Sequence, residues 1–341
     1  MKRRVLLGVL DQSPIVSGMR PADAVAETVY LAQLAEDLGY HRYWLAEHHS
    51  IAALADPCPE ILLARIGAAT RRIRVGTGGV LLPYYSALKV AEIFRMLEAL
   101  YPGRIDLGIG RAPGGDMRTA QALTGGRYLD SDAFPGQVQD LIAFLGGGMP
   151  EGHPFARVKA MPAVDSVPQI WLLGSSEYSG LLAAHVGTRF AFAHFISPHG
   201  GEQVTRAYRA RFTPGVHLAQ PVSAVCAFVV CARTRAEADR LAAAVDLRRV
   251  QMARGIDAPF PTLAEAQSYR YDPRERAYAT EQRARLVHGD PAEVRDKLLA
   301  LRDDFDADEL LVLTITGDAA TRRQSYRLVA EVFAADRADP G

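Results

Sequence analysis

Cysteine is scarce in this sequence, and long apolar segments are absent. The 341 residues include three cysteines, Cys58, Cys226 and Cys231, which form neither a CxxC pair nor a Cys/His zinc spacing. No segment approaches the ~18 consecutive apolar residues that span a bilayer. Basic residues 2–4 precede an apolar run that ends at Asp11, too short for the core of a signal peptide. These absences predict a cytoplasmic protein without a disulfide scaffold, a membrane segment or a metal site.

Excess charge of either sign is also lacking. Lys plus Arg and Asp plus Glu each total 39, so the formal net charge is +0. No broad basic surface for a nucleic acid is expected. What remains is an ordinary globular composition, 49% hydrophobic and 23% charged. The length fits either two ordinary domains or one α/β barrel of roughly 250 residues with insertions.

Short β-branched segments alternate with longer amphipathic ones along the chain. The predicted strands are 5–10, 42–47, 73–78, 105–109, 169–173, 190–195, 222–230 and 309–314. The predicted helices are 22–38, 60–70, 87–100, 132–145, 178–186, 201–212, 235–253, 292–303 and 319–334. This alternation favours one closed (β/α)8 TIM barrel over residues 1–341, because right-handed crossovers place every helix outside the sheet. A doubly wound open sheet is the alternative.

Two segments fit neither a strand nor a short connection. Residues 146–167, after the fourth strand, are rich in Gly and Pro, and residues 255–289, after the seventh strand, are polar and rich in Tyr and Arg. Segments of this length between elements are usually lids or binding insertions. We expect both to be insertions in a single domain.

Reactive groups in a barrel lie at the carboxyl ends of the strands. Glu47, His48 and His49 end the second predicted strand. Side chains alternate along a strand, so His48 points away from Glu47 and His49, and the two adjacent histidines are poorly placed to bind one metal ion. A neighbouring carboxylate can still tune the proton affinity of a histidine. A catalytic role and a structural role for His48 are equally compatible with this position.

Glycines crowd the ends of the third and fourth strands. Gly78 and Gly79 lie where glycine marks a bulge, a tight turn or the close approach of a ligand. Gly108-Ile109-Gly110-Arg111 is half of a dinucleotide fingerprint, but Pro113 stands where the third glycine would be and excludes that motif. Arg111 is a permanently charged, forked donor that suits either a phosphate or carboxylate or a surface salt bridge.

The fifth strand ends in Gly174-Ser175-Ser176, and a helix follows at once. Free N–H groups at the start of a helix bind anions, and serine hydroxyls add donors. The same serines fit plain helix caps equally well. The sequence lacks the motifs GxxxxGK[ST], GxSxG and HExxH, which argues against a nucleoside triphosphate site, a serine hydrolase and a zinc peptidase.

Four motifs together resemble the bacterial-luciferase-like flavin monooxygenases. They are Glu47-His48-His49, Val75-Gly76-Thr77-Gly78-Gly79 with Leu82-Pro83, Gly108-Ile109-Gly110-Arg111, and Trp171-Leu172-Leu173-Gly174-Ser175-Ser176. Each falls at the end of a predicted strand, and the likeness covers nearly the whole chain. The resemblance implies a barrel that binds reduced FMN, usually supplied by a separate flavin reductase, and that activates dioxygen as a peroxide at carbon 4a of the flavin.

The resemblance also implies roles for particular residues. His48 would be the active-site histidine, and a non-prolyl cis peptide would join Gly78 to Gly79 beneath the flavin ring. The residues implied for the phosphate are Arg111, Gly174, Ser175, Ser176 and Tyr178. FMN also needs a flat apolar slot and exclusion of water. We expect Leu81, Leu107 and Ile109 to line that slot, and a histidine with a pKa near neutrality suffices for proton control.

Two positions depart from the light-emitting members of the family. Gly110 stands where those tend to have a cysteine, and Gly174 where they have an acidic residue, which favours a generic or biosynthetic monooxygenase over light emission. Apolar residues expected at the mouth favour an aldehyde, a terpene-like or an aromatic substrate over a sugar. Family members often pair through barrel helices, so the resemblance also implies a homodimer.

Three other functions remain open from the sequence. One is a deazaflavin-dependent oxidoreductase of the same fold, and another is a flavin-binding homologue without catalysis. A hydrolase on the same barrel would need an acid/base pair at the mouth, which Glu47 alone does not supply.

Overall fold

The structure, a computed structural model, describes residues 5–111, 114–127 and 129–334. Pro113 and the basic residues 2–4, both used in the sequence argument, lie outside this part of the chain. The strands are β1 (Leu6–Asp11), β2 (Arg42–Leu45), β3 (Arg74–Thr77), β4 (Val80–Leu81), β5 (Ile105–Gly110), β6 (Gln169–Gly174), β7 (Arg189–Ala193), β8 (Ser223–Cys231), β9 (Leu286–Gly289) and β10 (Glu309–Leu313).

Eight of these strands close a parallel barrel. The order β1-β2-β3-β5-β6-β7-β8-β10 returns to its start, because β10 pairs with β8 on one side and with β1 on the other. In the register, Leu7 lies opposite Leu310 and Leu10 lies opposite Trp44. The predicted TIM barrel is therefore confirmed, and the open doubly wound sheet is excluded.

Helices cover the outside of the barrel. They are α1 (Pro21–Asp37), α2 (Pro59–Ala69), α3 (Ala87–Leu100), α4 (Met117–Leu123), α5 (Phe134–Ile142), α6 (Glu177–Val186), α7 (Gly201–Ala210), α8 (Arg235–Ala253), α9 (Leu263–Ser268), α10 (Pro273–Gln282), α11 (Pro291–Asp304) and α12 (Ala319–Val332). In α3, α4 and α8 to α12, the N-cap side chain accepts a hydrogen bond from a first-turn N–H. These Ser, Thr and Asp caps explain why the helices begin where they do. The short helix α4 falls in a segment for which no helix is predicted from the sequence.

The two insertions differ in structure. Beyond the π-helical turn Ala143–Gly147, residues up to β6 form irregular backbone, as predicted for 146–167. The expectation that residues 255–289 contain no strand is wrong, since they contain β9 as well as α9 and α10. β9 pairs with Phe228–Cys231, the part of the long strand β8 that extends past its pairing with β7, which ends at Cys226. The free backbone edge of β8 therefore pairs with a short strand that the polar sequence of this insertion does not predict.

Charged side chains fill the amino-terminal half of the barrel interior. Arg42 donates to the two carboxylate oxygens of Glu309 over 2.7 and 2.8 Å, and it also binds Asp106. Arg74 donates to Asp106 through Nε over 2.8 Å. Arg42, Asp106 and Glu309 are buried. A Cβ on Gly8 would lie 2.6 Å from Cγ of Arg42, so glycine there makes room for the arginine.

Two tryptophans lie above this charged layer, towards the carboxyl ends of the strands. The guanidinium carbon of Arg42 is 5.4 Å from the ring centroid of Trp44 and 4.8 Å from that of Trp171. Trp44 Nε1 donates to Asp106 over 2.9 Å. The charged layer thus fixes the orientation of Trp44 from below.

None of the helices in the described ranges combines the length and the apolar character that crossing a bilayer requires.

Candidate functional site

A pocket opens at the carboxyl ends of the barrel strands. It encloses about 1210 Å³ of empty space, including its open mouth. The wall of this pocket includes all the residues to which the resemblance gives a catalytic or cofactor-binding role: His48, Gly78, Gly79, Arg111, Gly174, Ser175, Ser176 and Tyr178. The folded chain therefore brings together residues that are far apart in sequence.

Arg111 and the start of α6 form the polar end of this pocket. Arg111 directly follows β5, and its guanidinium carbon lies 4.4 Å from the ring centroid of Tyr178, in the first turn of α6. In the part of the chain that the structure describes, no carboxylate forms an ion pair with Arg111. The guanidinium is therefore available to an anionic ligand, and the surface salt bridge considered from the sequence is not formed there.

The N-terminus of α6 differs from its capped counterparts. Ser176 has the extended backbone of an N-cap residue, but its side chain makes no capping hydrogen bond. Instead, Ser179 Oγ donates to the Ser176 carbonyl over 2.7 Å. A Cβ on Gly174 would lie 2.2 Å from Ser179 Oγ, so glycine is needed for this close approach. Between the two readings of these serines, the geometry favours an anion site, because the serine at the cap position leaves the first-turn N–H groups to a ligand.

Gly78 and Gly79 form a tightly confined stretch of the wall. The peptide bond between them is cis, as the resemblance implies. A Cβ on Gly78 would lie 2.6 Å from Cδ1 of Leu10, and one on Gly79 would lie 2.7 Å from the carbonyl oxygen of Gly108. Side chains are therefore excluded at both positions, which keeps this wall flat.

Of the three residues predicted to line the apolar slot, one does so and two do not. Leu81 lines the pocket. Leu107 and Ile109 instead belong to the core packed between the strands and the helices. Because side chains alternate along β5, Asp106, Gly108 and Gly110 face the barrel interior and the leucine and isoleucine face outward.

His48 lies in the pocket wall with a neutral ring. Burial lowers the pKa of His48 to about 4, the backbone of Ala46 opposes this shift, and the neighbouring His49 adds to it. The expected pKa near neutrality is therefore wrong. Nδ1 is buried and has no hydrogen-bond partner among the described residues. A neutral imidazole with a free nitrogen can accept or donate one proton.

Glu47 does not act on His48 as its sequence position suggests. Its carboxylate lies 2.7 Å from His49 Nε2 and accepts a hydrogen bond from the Tyr85 hydroxyl over 2.6 Å. The alternation argument anticipates the shared side of Glu47 and His49, although β2 itself ends at Leu45. Within the described ranges, no group of three or more His, Cys, Asp or Glu side chains is arranged to hold a metal ion.

The family model described as luciferase-like monooxygenase matches residues 6–308. The chain belongs to the luciferase-like monooxygenase family. It is therefore an oxidoreductase of the monooxygenase type, and the resemblance read from the four motifs is confirmed.

Relatives match this luciferase-like monooxygenase over almost its full length. YceB of Bacillus subtilis is 44% identical over 327 residues, 96% of this chain and 99% of its own. The N-acetyl-S-alkylcysteine monooxygenase of the same organism is 36% identical over 342 residues, 98% of this chain and 100% of its own. The crystal structure of apo-MsnO8 has a TM-score of 0.89 and 41% identity, covering 97% of this chain and 98% of its own.

More distant structures share the fold alone. The oxygenating constituent of 3,6-diketocamphane monooxygenase, solved with FMN, is 19% identical with a TM-score of 0.70. An F420-dependent secondary alcohol dehydrogenase, solved with an F420-acetone adduct, is 14% identical with a TM-score of 0.66. Of these two proteins with the same fold, one was therefore solved with FMN and the other with an F420 adduct.

Several pocket residues of this luciferase-like monooxygenase were missed from the sequence. They include Leu10, Gln12, Trp44, Phe134, Leu173, Ala191, Phe195, Ile196, Cys226 and Leu311. Most lie at or just beyond strand ends, so strand alternation would find them once the inward-facing phase of each strand is known. His194, Tyr269 and Tyr271 do not line this pocket.

Proposed function

We propose that this protein is an FMN-dependent, two-component monooxygenase that uses reduced FMN and dioxygen to oxygenate a small organic substrate. The observation that carries the proposal is the polar end of the pocket, where Arg111 lies beside the uncapped start of α6. This arrangement suits the phosphate of FMN, because a forked cation and free backbone N–H groups converge on one place.

The remaining walls fit the ring of the flavin. Gly78 and Gly79 admit no side chain, and Leu81 and Leu173 add apolar surface beside them. Ser175, Ser176 and Tyr178 supply further hydrogen-bond donors near Arg111. Reduced FMN supplies the electrons for dioxygen activation when it is bound. The chain's own contributions are to hold the phosphate, orient the ring, exclude water and move a proton at His48.

A specific observation favours FMN over a deazaflavin. Among the described residues that line the pocket, Arg111 is the one cationic side chain, since His48 is neutral at physiological pH. One guanidinium matches the single phosphate of FMN, whereas a deazaflavin such as F420 carries a longer tail with additional acidic groups. The 36% identity to a monooxygenase supports the same choice.

The proposed activity is tested with isotopically labelled dioxygen. The protein is mixed with photoreduced FMN and ¹⁸O₂ in the presence of N-acetyl-S-methylcysteine or a linear aldehyde as probe substrates. We expect ¹⁸O in a product with reduced FMN and none with reduced F420, together with tighter calorimetric binding of FMN. Turnover with F420 alone would establish the deazaflavin function. Binding of FMN without turnover of any compound in a wider panel would support the non-catalytic homologue.

Arg111→Ala is expected to weaken FMN binding by about 10- to 100-fold, because the phosphate loses its charged partner. Riboflavin, which lacks the phosphate, is expected to lose less than about threefold. Isothermal titration calorimetry of both ligands measures this. Arg118→Ala is the matched control, since Arg118 is exposed on α4 and does not line the pocket. Equal losses for the two ligands would contradict the phosphate assignment.

Two partners complete the proposal. The first is a flavin reductase on a separate chain, which supplies reduced FMN. The second is another copy of this chain, bound through an apolar groove between α2, α3 and the first insertion. Its large exposed side chains are Ile61, Met96, Leu100 and Met161. Such a contiguous apolar patch on a soluble domain is typical of a protein interface.

Ile61→Arg is expected to convert the proposed homodimer into a monomer, because a charge buried in an apolar interface without a partner costs several kcal/mol, about 2–4. Ile61 is 70% exposed in the single chain. Val216→Arg is the control, because Val216 is equally exposed at 69% but does not line this groove. Light scattering coupled to size exclusion gives the mass of each variant. A monomeric native protein would contradict the proposed dimer.

A further inference from the structure

The Glu47 carboxylate lies where two segments at the pocket rim meet. Its Oε1 accepts from the Tyr85 hydroxyl over 2.6 Å and lies 2.7 Å from His49 Nε2, and its Oε2 accepts from the Leu81 backbone N–H over 2.8 Å. The Glu47 side chain is 1% exposed. One buried carboxylate therefore ties the segment after β2 to the segment that follows Gly78 and Gly79.

The same segment also contacts Gly114 and Gly115, which follow Arg111 in the chain by three and four positions. The His49 backbone N–H donates to the Gly114 carbonyl over 3.0 Å. A Cβ on Gly114 would lie 3.2 Å from the Glu47 carbonyl oxygen, and one on Gly115 would lie 2.8 Å from that of His49. Only glycine allows the loop backbone to pack this closely on residues 47–49. Gly114 is three positions after Arg111, so this contact restricts where Arg111 can lie.

We propose that Glu47 is a positioning residue for the phosphate-binding end of the pocket. Through His49 it fixes the backbone on which the Arg111 loop rests, and through Tyr85 and Leu81 it fixes the wall beside Gly79. The inference rests on the proposed binding of FMN. It goes further by assigning a function to a residue that does not itself reach the phosphate.

The chemistry of the cluster fits positioning better than proton transfer. Both oxygens of Glu47 are occupied, by Tyr85 and His49 on one and by Leu81 on the other. Burial raises the pKa of Tyr85, and its hydrogen bond to Glu47 acts in the same direction, so the hydroxyl stays protonated and donates. These three donors use most of the acceptor sites of the Glu47 carboxylate, which makes it less available to a substrate proton and also disfavours the hydrolase considered from the sequence.

The test compares the affinities of FMN and riboflavin, measured by calorimetry, in native protein and in Glu47→Gln. The ratio of the two affinities reports the grip on the phosphate and is independent of turnover. We expect Glu47→Gln to lower this ratio by about tenfold, because the amide cannot accept from all three donors and its own N–H₂ conflicts with one of them. The riboflavin affinity is expected to stay within about threefold of native.

Tyr85→Phe provides a milder variant that keeps the carboxylate. It removes one hydrogen bond and is expected to lower the ratio by about threefold. Tyr208→Phe is the matched control, because the Tyr208 hydroxyl is also buried, donates to the Thr188 carbonyl over 2.9 Å and lies away from the pocket. The control is expected to leave the ratio unchanged even if it lowers stability.

A double variant distinguishes positioning from general loosening. If Glu47 acts through Arg111, the double variant Glu47→Gln/Arg111→Ala is expected to have the same ratio of FMN to riboflavin affinity as Arg111→Ala alone. Additive losses would overturn the inference, as would an unchanged ratio in Glu47→Gln while Arg111→Ala abolishes it. Should native protein fail to distinguish FMN from riboflavin, the proposed function itself would be overturned, and this inference with it.

Discussion

Replacing His48 by alanine is expected to slow oxygenation by about 10²- to 10⁴-fold, the usual contribution of a positioned acid/base group. FMN affinity is expected to change by less than about threefold, because the phosphate end of the pocket is formed by other residues. His48 lines the pocket and keeps Nδ1 without a partner in the described chain. Single-turnover measurement of labelled product, with calorimetry for FMN, separates the two effects.

His194→Ala is the control for that experiment. His194 is buried, and burial lowers its pKa as it does for His48, but His194 packs against Phe305 outside the pocket. We expect this variant to lose stability and to keep the native rate per folded molecule. A native rate in His48→Ala would assign the proton step to a different group.

The pH dependence follows from the direction of the His48 shift. Burial lowers the pKa of the folded-state imidazole to about 4, below the usual 6.5 of a histidine. The unfolded state therefore takes up the proton first, and the stability that His48 contributes is present above about pH 6.5 and is lost as the pH falls towards 4. The rate is expected to show no acid limb from His48 near pH 6.5, and a limb near pH 4 that disappears in His48→Gln would confirm its origin.

Asp106→Asn is expected to reduce the free energy of unfolding by about 3–5 kcal/mol, because it breaks a buried ion network by removing one partner. Asp106 is fully buried and binds the guanidinium groups of Arg42 and Arg74. With asparagine in its place, Glu309 is left as the remaining carboxylate bound to Arg42. Urea unfolding followed by circular dichroism measures the loss at neutral pH.

The control and the pH series make this prediction specific. Asp23→Asn removes the same charge from an exposed pair with Arg20, and we expect no measurable change there. Burial alone would raise the pKa of Asp106, but Arg42 and Arg74 outweigh it and hold the pKa below the usual 3.8. The native advantage over Asp106→Asn is therefore expected at neutral pH and should shrink as the pH falls below about 4. Equal effects of Asp106→Asn and Asp23→Asn would show that the buried ion network contributes little to the free energy of unfolding.

The sequence predicts the barrel well because alternation of strand and helix has few three-dimensional solutions. It fails for β9, because that strand depends on the free edge of β8, which no local pattern encodes. It fails again for Leu107 and Ile109, because the prediction places the apolar residues of β5 on the inner side of the barrel. Here the interior side of β5 carries Asp106 and two glycines, so apolar residues mark its outer side.

The position of the candidate site is predictable from the sequence, because the carboxyl ends of all the strands meet at one end of a barrel. That rule places Arg111 and the start of α6 close together without any tertiary information. The protonation state of His48 cannot be predicted from the sequence in the same way, because its pKa depends on how deeply the surrounding chain buries the ring. Two hydrogen-bond partners of Glu47, Tyr85 and Leu81, were likewise not predictable, because they lie more than thirty positions away in sequence.

Both tryptophans of the protein, Trp44 and Trp171, lie inside the barrel with ring centroids 5.1 Å apart. Trp44 lines the pocket, Trp171 packs against it, and the sequence contains no other tryptophan. Excitation at the red edge of the tryptophan absorption will therefore collect emission from this pair alone, and energy transfer to a bound flavin will quench it. The intrinsic tryptophan fluorescence of the protein therefore reports whether the pocket holds a flavin, without an added label.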